Sequence, residues 1–159
     1  MAAGKTNVMR ILEQKKIAYA AYTYPHDGNE AVDGESVARL TGQDPVRVFK
    51  TLVTRGHSGG YFVFVIPVAE ELNLKKAAAA VGEKSVGMIA VKELLPLTGY
   101  IRGGCSPVGM KKPLPTVLAR QAEEQSTILV SGGKIGTQVE LSPIDLLQIT
   151  GGRLADITI

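Results

Sequence analysis

Tryptophan is absent from these 159 residues, and aromatics make up only 5% of them. A core must then be aliphatic, and there is little from which to build the stacking platforms that grip single-stranded nucleic acid. The lone cysteine, Cys105, excludes an intramolecular disulfide framework and any zinc site needing several thiolates. Two histidines, His26 and His57, leave few bases to activate a protein nucleophile. No stretch approaches the ~18 apolar residues of a membrane-spanning helix, and residues 1–6 lack the apolar core of a signal peptide, so the cytoplasm is the expected compartment. G-x-S-x-G, H-E-x-x-H and paired-carboxylate motifs are missing. Gly4-Lys5-Thr6 imitates the end of a P-loop but has neither the preceding strand nor the first glycine.

What is present is a core-forming chain. Hydrophobic residues make up 45%, and 159 residues suit one domain spanning 1–159. A chain of this size buries roughly 68–70% of its unfolded surface. Eighteen Lys and Arg against 15 Asp and Glu give a net charge of +3. The lysines fall in pairs (Lys15-Lys16, Lys75-Lys76, Lys111-Lys112), as on a solvated face, although the balance suits an anionic partner.

Val8, Ile11 and Leu12 recur at helical spacing over residues 5–16. A strand over 18–24 breaks at Pro25, and a short helix over 35–40 takes Asp33 as cap and Gly42 as stop. Residues 46–55 and 61–68 read as two strands joined by a glycine-rich turn. The second is apolar at nearly every position, as in a strand covered on both faces. Helices follow over 74–81 and 91–97, then strands over 127–130 and 137–141. Ser142-Pro143-Ile144-Asp145 opens a last helix with serine as cap, proline first and acid third. The expected fold is a compact α/β domain with a mixed, strongly curved, barrel-like sheet flanked by helices.

Two features carry chemistry. Lys50 sits in the apolar run 48–53, on the strand face it shares with Val48 and Leu52. It is either an edge lysine reaching solvent or a lysine at a cavity rim, holding an anionic or carbonyl oxygen. The loop Gly103-Gly104-Cys105-Ser106-Pro107-Val108-Gly109 is either a turn or a set of backbone N–H donors approaching an oxygen. Ser131-Gly132-Gly133 after a buried-type strand is a second such loop. Tyr24 and His26, beside Pro25, are pocket walls or surface turn residues. The cap position alone accounts for Asp145. Cys105 as a nucleophile would need a base.

In order along the chain, Thr23-Tyr24-Pro25-His26-Asp27, Val48-Phe49-Lys50-Thr51-Leu52, Leu72-Asn73-Leu74-Lys75-Lys76, the 103–112 segment, Ser131-Gly132-Gly133-Lys134 and Ser142-Pro143-Ile144-Asp145-Leu146 resemble one family. It is the YbaK/EbsC family of aminoacyl-tRNA deacylases, relatives of the editing domain inserted in bacterial prolyl-tRNA synthetases. The resemblance runs nearly end to end and is nearest the Cys-tRNA(Pro) deacylase type. It implies trans-editing of a mischarged tRNA at its 3′ aminoacyl end, with prolyl-tRNA synthetase as partner and no cofactor or metal.

By the same resemblance, Lys50, Gly103 and Gly104 form the catalytic set, the two glycines binding the aminoacyl carbonyl through their backbone. Tyr24, His26, Ser106, Pro107, Ser131, Gly132, Gly133 and Asp145 bind substrate. The substrate's own thiol would supply the nucleophile, consistent with the missing triad. A deacylase for another misacylated tRNA, such as Ala-tRNA(Pro), and a non-catalytic module that binds aminoacyl-tRNA or synthetase are the alternatives.

Overall fold

The computed structural model describes residues 4–28 and 30–159. Most element starts are set by a side chain that caps the first turn. Thr6 accepts the Met9 N–H ahead of α1 (Asn7–Gln14), and the Asp33 carboxylate accepts Ser36 N–H ahead of α2 (Gly34–Leu40). Asn73 accepts two N–H groups at the head of α3 (Leu74–Ala80), and Ser142 accepts Asp145 N–H at the head of α5 (Pro143–Thr150). Between them, α4 spans Val91–Thr98.

Strands β1 (Ala20–Thr23), β7 (Thr137–Leu141) and β6 (Ile128–Ser131) form one antiparallel sheet in the order β1-β7-β6. The other sheet is mixed, in the order β4-β2-β3-β5-β8, from Val86–Met88, Phe49–Gly56, Tyr61–Pro67, Thr116–Ala119 and Arg153–Ala155. β3 is central and buried on both faces, as its unbroken apolar run predicts; Val63 to Ile66 are fully buried. The core around them is aliphatic, with Leu12, Ile66, Leu118, Ile128 and Leu141 among its largest buried side chains.

The expected barrel-like sheet is not formed. The strands divide between two sheets, and neither closes. The two meet at one parallel bridge, Val48 to Leu129. That ladder does not lengthen toward the N-terminus, because Pro45–Arg47 is a 3-10 turn capped by Asp44 and not extended strand. Nor is the Val48 carbonyl free, since it accepts the Val68 N–H. The expected strand over 46–55 accordingly begins only at Phe49. Side chains lock the seam instead. Arg47 pairs with Glu140 of β7 and donates to Thr127, while Tyr22 of β1 donates to the other Glu140 oxygen at 2.6 Å. The Thr127 hydroxyl, which donates to Glu140, then that of Tyr22, and the Arg47 guanidinium beside them hold the Glu140 carboxyl below the usual carboxylate range. Among the described residues no helix is long and apolar enough to cross a membrane.

Candidate functional site

A cavity of about 120 Å³ opens at this seam, where the start of β2 faces the 103–105 loop, the end of β6 and the start of β7. Its polar lining comes from Lys50, Thr51, Ser131 and Gln138; Tyr24, Gly103 and Cys105 also line it, and Val37, Phe49 and Val68 are among its apolar wall. Lys50 stands opposite Ile66 of β3 and is half-buried; its ammonium donates to the Val68 carbonyl at 3.3 Å. Among the described residues, no carboxylate oxygen lies within ion-pairing distance of it, and the cavity wall contains no Asp or Glu. One cation without a counter-ion in a small polar hollow is suited to an oxygen carrying charge or partial charge.

Tyr24 also borders a second, wider hollow of about 530 Å³, lined by His26, Tyr100, Gly133, Lys134 and Gly136 among others. The His26 ring lies against the Gly136 backbone, where a Cβ would come within 2.4 Å of Cδ2 and φ is +90°. Its Nδ1 is 2.9 Å from the Gly28 carbonyl oxygen. The exposed Lys134 stands on the rim. The arrangement is a small inner chamber and a larger outer one, sharing Tyr24 as a wall.

Of the residues named from sequence, Tyr24, Lys50, Gly103 and Ser131 line the inner chamber, and His26 and Gly133 join Tyr24 in the outer one. Gly104, Ser106, Pro107, Gly132 and Asp145 line neither. The Gly104 N–H donates to the Ile101 carbonyl at 3.0 Å, and a Cβ there would meet the Lys134–Ile135 backbone at 2.9 Å. Gly104 therefore seats one loop against the other rather than reaching into the cavity. Among the described residues no acceptor takes the Gly103 or Cys105 N–H. Ser106 is fully buried, its hydroxyl accepting Val108 N–H at 3.2 Å, with Pro107 buried beside it. Gly132 is spent on pairing with Thr137. Asp145 belongs to the cap of α5, which follows the end of β7 remote from Gln138.

Cys105 lines the inner chamber, but burial pushes its thiol up to about 12, far from the thiolate a nucleophile needs. Two lining residues, Thr51 and Gln138, escape a sequence reading. In Thr137–Leu141 the glutamine falls on the polar side of a strict alternation, which reads as solvent-facing, yet it is buried. Only the packing of β2 over this sheet reveals it. Among the described residues, no group of three His, Cys, Asp or Glu is gathered that could hold a metal ion.

The family model described as the aminoacyl-tRNA editing domain matches residues 29–149. A protein of Enterococcus faecalis assigned as the Cys-tRNA(Pro)/Cys-tRNA(Cys) deacylase EbsC is 50% identical over 154 residues, which is 97% of this chain and 93% of that protein. A proline–tRNA ligase of Thermosipho melanesiensis is 33% identical over 76 residues, covering 48% of this chain and 13% of the ligase. A solved structure described as a trans-editing enzyme for prolyl tRNA synthetase superposes with a TM-score of 0.82 at 24% identity, covering 99% of each chain; that likeness is one of fold.

Proposed function

Because the chain belongs to the aminoacyl-tRNA editing domain family, we propose that it is a trans-editing deacylase that cleaves the ester of Cys-tRNA(Pro). The observation that carries this reading is the inner chamber: a lone ammonium, no carboxylate, and no thiolate or base able to act as nucleophile. Its volume of about 120 Å³ lies below the ~300–1,000 Å³ of pockets for drug-sized ligands and suits a small aminoacyl group. The outer chamber of about 530 Å³ takes the terminal adenosine, with Lys134 toward phosphate.

In the reaction proposed, the substrate's thiol sulfur attacks its own carbonyl carbon. The resulting oxyanion is held by Lys50 and by the N–H groups of Gly103 and Cys105, which have no acceptor among the described residues. The bond from carbonyl carbon to ribose oxygen then breaks, and the ribose oxygen takes the proton the thiol lost. The products are deacylated tRNA and a four-membered thiolactone, which water opens to cysteine. The enzyme supplies position and electrostatics. Such a chamber offers what a synthetase pocket cannot, because near-isosteres are poorly separated by binding alone.

Residues 1–159 act here as one cytoplasmic editing domain. Its modest net charge of +3 fits reliance on prolyl-tRNA synthetase to present the tRNA. The test is deacylation of Cys-, Ser-, Ala- and Pro-tRNA(Pro) by the purified protein. Cys-tRNA(Pro) should be cleaved fastest, and Ser-tRNA(Pro) far more slowly, since a hydroxyl is a much weaker nucleophile than a thiol at neutral pH. Inactivity on all four overturns the deacylase reading, and equal rates on the Cys and Ser esters overturn the thiol mechanism.

A further inference from the structure

Two buried side-chain oxygens among the described residues have no hydrogen-bond partner, Gln138 Oε1 and Thr51 Oγ1. Both residues line the inner chamber. Gln138 is only 6% exposed and stands on β7, the middle strand of its sheet, with Tyr22 on one side and Ser131 on the other. A folded protein keeps few such orphans, because an acceptor removed from water and left unpaired destabilises the native state. That the residues bearing both orphans line one cavity points to that cavity as the place where a ligand's donors would pair them.

Resting on the deacylase reading, we propose that Gln138 and Thr51 are the receptor for the substrate's α-amino group and make the enzyme count its N–H bonds. An aminoacyl ester has two polar ends of opposite character. Its carbonyl oxygen accepts, and the Lys50 ammonium and the backbone N–H groups of the lining residues Gly103 and Cys105, unpaired among the described residues, suit that end. The amine donates, and the two orphan oxygens suit it. No carboxylate lines the chamber and one ammonium already occupies it, so the amine enters as the neutral base. Since α-amino groups titrate near 7.7–8.0, that form is accessible at neutral pH.

A neutral primary amine has two N–H bonds for the two acceptors. Proline's ring nitrogen has one, so a prolyl ester leaves one acceptor buried and unpaired. The geometry thus disfavours occupation by correctly charged Pro-tRNA(Pro), in addition to its lack of a thiol.

Three esters on tRNA(Pro) separate the cases: cysteinyl with two N–H bonds, N-methylcysteinyl with one, and 3-mercaptopropionyl with none; all three keep the thiol. For the unmodified enzyme, kcat/KM should fall by about tenfold or more at each step, the cost of one unpaired buried acceptor. In the near-isosteric double variant Q138M/T51V, cysteinyl cleavage should drop by about a hundredfold or more, and the three esters should converge to within about threefold of one another. Its melting temperature should hold or rise, because two unsatisfied oxygens are gone. Equal cleavage of cysteinyl and 3-mercaptopropionyl esters by the unmodified enzyme overturns the amine receptor. So does a variant that loses the same factor on all three esters, which assigns both residues to the fold. If the unmodified enzyme cleaves none of the three, the deacylase reading itself fails.

Discussion

Replacing Lys50 tests the proposed chemistry most directly. Its ammonium donates one hydrogen bond, to the Val68 carbonyl at 3.3 Å, and makes no ion pair among the described residues. At 3.3 Å on a half-exposed side chain, this bond puts the native loss for Lys50→Ala near the low end for a charged donor, about 1.5 kcal/mol. For a chain of this size that is a shift in Tm of ~3–6 °C. Activity should respond far more. A hydrogen bond to a charged group contributes about 1.5–3 kcal/mol, or roughly 10- to 150-fold in kcat/KM. Loss of an oxyanion donor extends the range to about 10³ in kcat. Lys50→Met keeps most of the stem without the charge and should be as inactive as Lys50→Ala. Single-turnover deacylation of Cys-tRNA(Pro), beside thermal melts, measures both quantities. A folded Lys50→Met enzyme with wild-type kcat/KM would refute the assignment, because then neither the charge nor its reach matters.

Gly104→Ala should lower Tm by several degrees, because its Cβ meets the Lys134–Ile135 backbone at 2.9 Å and overpacking costs about 1–3 kcal/mol. An unchanged melt would mean that the two loops separate freely. Cys105→Ala should keep deacylation within about threefold of wild type, since a thiol held up to about 12 is no nucleophile at neutral pH; a folded but inactive variant would end the substrate-thiol mechanism. Burial also ties Cys105 and Tyr100 to alkaline stability: their ordinary values of 9.0 and 10.0 both rise to about 12. The unfolded chain releases these protons before the folded one does, so stability is fully present below pH about 9 and is lost as pH rises toward about 12. Melting across that range should show the decline, and Cys105→Ala should make it shallower.

Elements with a local signal were legible in the sequence. β3 gave itself away through its apolar run, and α2 and α5 through Asp33 and Ser142 at their caps. β4, β5 and β8 were not; β4 and β8 are runs of three residues, too short to establish alternation. They are strands only because β2, β3 and β5 offer them edges. At the site, Lys50 was conspicuous as a charge in an apolar run. Gly104 was conspicuous for its residue type, but its use in seating two loops depends on residues some thirty positions away. Gln138 was concealed by its own strand pattern. The division into two sheets was equally hidden, since it turns on where a 3-10 turn ends and a single bridge begins.

The seam also sets the order in which the molecule can become competent. β1 pairs only with β7, and the Tyr22–Glu140 bond joins residues 118 positions apart. Contacts of such long sequence separation close slowly, because the loop entropy is spent before the pairing returns it. On a ribosome, β2 and β3 can form their hairpin early, whereas Tyr24 and Gln138 cannot face Lys50 until β7 has emerged and captured β1. Lys50 is thus present on a nascent hairpin long before any chamber surrounds it. A chain truncated between Pro67 and Thr137 would keep both strands of the hairpin and lack the inner chamber.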